Sequence, residues 1–142
     1  MPTRNASAVW NGKLRDGTGT FKGESGAIEA PYIVRHDGYF YLFASFDACC
    51  RGVDSTYRTM VGRSKSVTGP YVDRDGTKMS DGGGTELLAT HGTILGPGHP
   101  AVLHDGSEWI LIYHYYYDEF NQGAARLAMN KLEWVDGWPV VT

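Results

Sequence analysis

Glu29 and His99 are the two side chains whose settings most invite chemistry. Glu29 stands in Ile28-Glu29-Ala30-Pro31-Tyr32, a carboxylate between small and apolar residues at the mouth of an aromatic, strand-like run. Apolar surroundings disfavour the charged form of a carboxyl, as a general acid requires. Most Glu residues are simply solvated, however, and a strand-entry Glu paired with a nearby Arg is the plainer account. His99 stands in Gly96-Pro97-Gly98-His99-Pro100, where Gly and Pro hold the backbone and keep competing side chains away. A single imidazole cannot build a zinc site, which takes three or four protein ligands. It can complete the shell of a hydrated cation whose other ligands are water. Here too the plainer account is structural. The remaining histidines fall in turns (His36, His91, His104) or in an aromatic strand (His114) and read as surface or packing residues.

Other stretches carry weaker signals. In Phe46-Asp47-Ala48-Cys49-Cys50-Arg51-Gly52, Asp47 and Arg51 are placed either to reach a sugar hydroxyl or to form an ordinary surface ion pair. Tyr113-His114-Tyr115-Tyr116-Tyr117 would put Tyr113, Tyr115 and Tyr117 on one strand face, as a platform for a sugar ring or as core. Cys49 and Cys50 are adjacent, a spacing too constrained for an ordinary disulfide, and no second pair completes a metal site. Two reduced thiols are expected. The chain has no P-loop, no Gly-x-Gly-x-x-Gly after a strand and no Gly-x-Ser-x-Gly elbow, which disfavours nucleotide and serine-hydrolase chemistry.

These residues need a scaffold, and the composition indicates which kind. The 142 residues suffice for one domain with a reasonable core. An apolar fraction of 42% against 20% charged is globular, and a net charge of -3 gives no reason to expect nucleic acid or an acidic membrane surface. Nine Tyr and nineteen Gly, with few helix-forming runs, indicate many short strands joined by tight turns. No apolar run approaches the roughly 18 residues that span a bilayer. Residues 1–20 show no apolar signal core, so no export signal is expected and the compartment stays open.

Residues 1–26 hold only Val9, Trp10, Leu14 and Phe21 as apolar anchors and read as an irregular lead-in with at most one short strand. From Ile28 the texture changes. Tyr32–Arg35 and Tyr39–Ser45 are β-rich runs separated by His36-Asp37-Gly38, a strong hairpin signal. Tyr57–Arg63 and a shorter run from Gly69 follow, and Thr85–Thr90 is a further strand candidate. Then the pattern recurs. Val102-Leu103-His104-Asp105-Gly106 repeats Val34-Arg35-His36-Asp37-Gly38 at an offset of 68 residues, and Trp109–Tyr113 matches Phe40–Phe43 after a one-residue insertion. Arg126–Leu132 and Trp138–Val141 supply two more strands.

Two repeats of about four short strands suggest radially stacked blades of a β-propeller, about residues 27–80 and 81–142; a single eight-stranded sandwich is the alternative. The same offset aligns Pro31 with His99, which sets Glu29 two residues before the position of His99. Residues two apart on a strand share a face. On the innermost strands of neighbouring blades, both side chains would point into the central channel at one end.

Taken in order, several of these stretches resemble one family. They are Ile28-Glu29-Ala30-Pro31-Tyr32, Gly38-Tyr39-Phe40-Tyr41-Leu42-Phe43, the run Ser45 to Gly52, Met60-Val61-Gly62-Arg63-Ser64 and Thr68-Gly69-Pro70-Tyr71. Gly96-Pro97-Gly98-His99-Pro100 and Leu132-Glu133-Trp134 to Gly137-Trp138-Pro139 continue the series. Across residues 27–142 the chain resembles the family 43 glycoside hydrolases, in particular the endo-1,5-α-L-arabinanases. The resemblance implies an all-β fold, with two four-stranded blades of a five-bladed propeller. It also implies hydrolysis, with inversion, of α-1,5-L-arabinofuranosyl bonds in arabinan or arabino-oligosaccharides. Such enzymes use an Asp base, an Asp that orients the acid, and a Glu acid. By context Glu29 matches the acid. His99 matches a histidine that helps hold a hydrated Ca2+, or another cation, in the channel. The Cys49-Cys50-Arg51 loop matches one bordering the substrate cleft, which makes Phe46 and Arg51 candidate sugar contacts. Arg126 is a candidate for a sugar-binding arginine of the last blade. No organic cofactor is implied. Members are often secreted, though some act inside the cell.

Both aspartates of that family lie in earlier blades, to which residues 1–26 bear no more than a trace of likeness around Trp10. An inverting hydrolase needs its base about 6.5–9.5 Å from the acid, with a water between, and no carboxylate of this chain fits by motif. Two blades alone also leave open sheet edges and a bare face, which isolated proteins avoid. Self-association is therefore expected. Two chains of about two and a half blades each would close one ring, with a base such as Asp47 or Asp54 coming from the second copy. The other readings are a catalytically silent carbohydrate-binding half-propeller and a truncated enzyme.

Overall fold

The computed structural model describes the backbone of residues 6–11 and 18–23, and backbone and side chains of residues 28–117 and 123–142. Its strands form three antiparallel sheets. β1 (Ala6–Asn11) and β2 (Thr18–Gly23) make a two-stranded hairpin. β3 (Ile28–His36), β4 (Tyr39–Phe46), β5 (Arg58–Ser64) and β6 (Thr85–Leu88) form a four-stranded meander. β7 (Leu95–Asp105), β8 (Glu108–Tyr117), β9 (Ala124–Val135) and β10 (Trp138–Val141) form a second meander, again in chain order. The two repeats are thus two blades.

Two boundaries differ from the expectation. The division falls between Leu88 and Leu95 rather than at residue 80, because Thr85 to Leu88 pairs along β5 and closes the first blade as its outermost strand. The run from Gly69 contributes only isolated bridges at Val72, to Arg63 and Lys78. The lead-in holds two strands rather than at most one. Its ladder, from Ala6 opposite Gly23 to Asn11 opposite Thr18, is backbone pairing, which apolar alternation need not announce.

The sequence explains the hairpins directly. Asp37 and Gly38 carry φ of 44° and 73°, the left-handed pair of a type I′ turn, and Asp136 and Gly137 repeat it at 52° and 73° between β9 and β10. Between the blades lies a shared core of Tyr41, Phe43 and Val61 from the first and Val102, Leu111, Tyr113, Leu132 and Trp138 from the second. Each such side chain, fully buried, contributes about 1.5–3 kcal/mol. Alternation along β4 sends Tyr41 and Phe43 to this side and Leu42, Ala44 and Phe46 to the other, where Met60 and Met79 pack on them. The far face of the second blade is less well covered: Leu103, Leu127 and Met129 are 46%, 71% and 65% exposed.

The blades are stacked with their first strands side by side. β7 packs on β3, β4 and β5, while β10 approaches β6 at the other edge. Both β3–β4 and β7–β8 turn at the same end, where His104 stacks on Trp109 and His36 on Trp134. The opposite end, where β3 and β7 begin, carries Glu29 and His99.

Candidate active site

β3 opens with Ile28 and Glu29 paired to Phe46 and Ser45, then slips register before Tyr32. Ala30 has a left-handed φ of 52° and Pro31 has no amide hydrogen, so the ladder breaks directly after Glu29. β7 slips twice, on either side of Gly98, with Gly96 and His99 at φ 53° and 55°. Bulges re-aim side chains. The rule that residues two apart share a face does not carry across them, and the convergence of Glu29 and His99 rests instead on the residues between them.

Ser45 is the first of these. It is fully buried, stands opposite Glu29 in the ladder, and its Oγ accepts the His99 N–H at 2.7 Å. Tyr57 is the second. It is 1% exposed, and its hydroxyl donates to Glu29 Oε1 at 2.7 Å. The ring lies so close over Gly98 that no Cβ fits there. Burial pushes the Tyr57 phenol far above its ordinary pKa; Ser45 opposes this, and the hydrogen bond and charge of Glu29 add to it. The phenol is therefore a donor at any working pH.

His114 completes the group. Its ring lies 5.6 Å from Tyr57, 6.3 Å from His99 and 5.3 Å, edge-on, from Tyr116. Burial lowers the His114 pKa, the charge of His99 lowers it further, and Glu29 pulls the other way. Tyr116 in turn accepts the Cys50 N–H on its hydroxyl at 2.8 Å, tying the β4–β5 loop to β8. A carboxyl held by a buried phenol, with two imidazoles close by at the mouth between two blades, has the parts for proton donation to a leaving oxygen.

Residues 8–139 match the family described as Glycosyl hydrolases family 43. The chain belongs to that family. Extracellular endo-α-(1→5)-L-arabinanase 1 of Bacillus subtilis (strain 168) is 46% identical over 114 residues, which cover 80% of this chain and 34% of the relative. Extracellular exo-α-(1→5)-L-arabinofuranosidase of Cellvibrio japonicus (strain Ueda107) is 43% identical over 119 residues, 82% of this chain and 34% of that one. The α-L-arabinanase of Cellvibrio cellulosa complexed with arabinohexaose superposes with a TM-score of 0.77 at 43% identity, over 81% of this chain and 36% of that one. The chain spans about a third of the length of these curated relatives. Its all-β blades are part of the five-bladed propeller of family 43 arabinanases.

The other residues singled out in this family 43 chain scatter. Phe46 is 7% exposed and packs with Leu42, Ala44, Met60 and Met79, so strand alternation has put it in the core rather than on the cleft lip. Arg51 is exposed, and its backbone N–H donates to Ser55 Oγ. The Arg126 guanidinium lies 4.4 Å over the ring of Tyr117, on the blade end that the Cys loop meets through Tyr116. Asp47 pairs with Arg58 at 2.8 Å rather than with Arg51, and Arg58 also binds Glu86. Asp54 is exposed in a 3-10 turn, Gly52–Asp54. The tyrosine run is no open platform: Tyr113 is core, its hydroxyl donating to Asn130 Oδ1, and Tyr115 packs against the same core. Cys49 and Cys50 are joined in a disulfide instead of standing as two thiols; Cys50 adopts φ 66°, a left-handed backbone that ordinary residues avoid.

Glu29 itself is exposed, as are Pro31 and Tyr32. The described residues therefore do not give Glu29 the burial that its apolar neighbours in sequence suggest. Among the described residues no group of three or more His, Cys, Asp and Glu could hold a metal ion. One imidazole suits only a cation that keeps most of its water, since Ca2+ takes six to eight oxygen ligands. Ser45, Tyr57, His114 and Tyr116 escaped sequence reasoning. Tyr57 marked no more than the start of a strand, and its bond to Glu29 spans 28 residues of chain.

Proposed function

We propose that the chain is the acid-bearing part of an inverting arabinan hydrolase, with Glu29 as general acid for α-1,5-L-arabinofuranosyl bonds. The observation that carries this is the Tyr57–Glu29 hydrogen bond at the mouth between two family 43 blades, beside His99 and His114. Relatives named as an endo-α-(1→5)-L-arabinanase at 46% and an exo-α-(1→5)-L-arabinofuranosidase at 43% identity support the substrate class. Two of them are named extracellular, which suits a polysaccharide too large to enter a cell. Glu29 gives a proton to the leaving oxygen while a water, activated by a carboxylate about 6.5–9.5 Å away, attacks the opposite face. The base is supplied from outside the chain. Asp54 of a second copy is better placed for that than Asp47, which is paired with Arg58. Two four-stranded blades and a two-stranded hairpin amount to half of a five-bladed ring, and the bare face bearing Leu127 and Met129 offers the contact that closes it. Arg51 and Arg126, both exposed, are the sugar contacts. A hydrated Ca2+ or other cation, where bound, takes His99 as its protein ligand and adds positive charge at the channel end.

The test is reducing-sugar release from linear arabinan. Turnover by the parent chain that is lost in Glu29→Gln supports the enzyme. Binding of arabino-oligosaccharides without turnover would replace it with a carbohydrate-binding half-propeller.

A further inference from the structure

We infer that Tyr57 is a positioning residue that gives the two oxygens of Glu29 different tasks: Oε1 is tied to the buried phenol, and Oε2 carries the proton that is donated. This rests on the general-acid reading of Glu29 given above, and its test is separable from that reading.

A carboxylic acid has one O–H and accepts at its other oxygen. The Tyr57 hydroxyl donates to Oε1 at 2.7 Å, so the proton of the neutral acid sits on Oε2. When that proton passes to the leaving oxygen, the C–O bond breaks and its electron pair goes to that oxygen. The carboxylate left behind keeps Tyr57 as its donor, and a hydrogen bond to a charged acceptor is about twice as strong as one to a neutral acceptor. Tyr57 therefore favours the state after transfer without touching sugar.

The phenol can do this because it cannot move. Tyr57 is 1% exposed, and its ring sits over Gly98, where any side chain would displace it. Glu29, by contrast, is exposed and free to sample rotamers without this bond. Gly98 immediately precedes His99, whose N–H is held by Ser45, so one short segment of β7 seats the phenol and anchors the histidine. The signature Gly-Pro-Gly-His-Pro thus has a reason for its second glycine that is independent of turn geometry. It leaves space for the tyrosine that orients the acid.

The test follows tyrosine Cζ by 13C NMR in the whole chain, with Tyr57 assigned by the resonance missing in Tyr57→Phe. The Tyr57 resonance should move on acidification, when the carboxyl that accepts from its hydroxyl takes up a proton. That movement should vanish in Glu29→Gln, which alters an exposed side chain and keeps the fold. It should also vanish in Gly98→Ala, which pushes the ring aside. A Tyr57 resonance that titrates identically in Glu29→Gln, or not at all in the parent, overturns the proposal. Where turnover is measured, Tyr57→Phe should lower kcat roughly tenfold with KM unchanged, and an unchanged kcat overturns it equally. Coupling without turnover leaves Tyr57 assigned and removes the hydrolase reading; turnover without coupling does the reverse.

Discussion

The imidazole of His36 lies flat on the indole of Trp134, ring centroids 3.9 Å apart and planes 14° from parallel. One ring comes from the last residue of β3 in the first blade and the other from β9 of the second, so the stack joins the blades at the end remote from Glu29. Trp109 meets both rings edge-on, and His104 stacks on Trp109.

This stack makes stability depend on pH. Burial lowers the His36 pKa from 6.5, Asp37 pulls it up again, and His104 pushes it down. His114 is lowered in the same sense, burial first. Unfolded histidines therefore take protons before folded ones as pH falls. Stability is full above about pH 6.5, declines as pH drops through the lowered folded values, and levels off below them. Thermal melts should show a lower Tm near pH 5 than near pH 7.5. His36→Phe keeps a ring on Trp134 without a titrating group, so it should flatten this slope while holding the Tm at neutral pH. A slope that is unchanged in His36→Phe would remove His36 as its source.

Tyr41 and Arg63 bind the same carbonyl. The buried Tyr41 hydroxyl and Arg63 Nη1 both donate to Gly137 O in the β9–β10 turn, and Arg63 is sandwiched between Tyr39 and Trp138. Tyr41→Phe leaves one donor in place and should cost about 1 kcal/mol. Tyr41→Ala opens a cavity between the blades and should cost about 3–5 kcal/mol. Urea unfolding measures both, and equal costs would mean that the ring does not bridge the blades.

Tyr116 holds the disulfide loop through one bond, from the Cys50 N–H to its hydroxyl. Tyr116→Phe keeps the ring against His114 and removes the acceptor. Amide exchange at Cys50 should quicken about tenfold, with at most about 1 kcal/mol lost from global stability. Unaltered exchange at Cys50 would show that the loop is held by other means.

Leu127 and Met129 stand on the bare face of the second blade, 71% and 65% exposed. If this face closes a ring between two chains, the parent elutes as a dimer at micromolar concentration and Leu127→Glu with Met129→Glu elutes as a monomer. Both side chains are mostly exposed, so the monomer's own stability should change by less than about 0.5 kcal/mol each. A compact monomeric parent would sink the ring-closure reading.

How much of this was legible follows from range along the chain. The repeat, the blades and the hairpins rest on local signals: alternating β-formers, and Asp-Gly pairs suited to type I′ turns. Those needed no partner to be read, and neither did the ordered motifs that pointed to family 43 and singled out Glu29 and His99 as candidates. The lead-in hairpin was missed because its pairing is carried by backbone groups that every residue has. The blade boundary was misplaced because β6 is only four residues long and is defined by β5.

Amino-acid order alone thus determined the kind of fold and the family, and singled out Glu29 as the candidate acid, since period and motif are properties of neighbours. Only the tertiary structure decided what surrounds the acid. Neighbours in sequence could not show that Phe46 is buried against Met60 and Met79, that Glu29 is exposed, or that His114 lies near both Tyr57 and His99. The bond from Tyr57 to Glu29 crosses from a loop to the far edge of a sheet. Contacts of that kind leave no mark on the residues beside them, because they depend on where two blades come to rest.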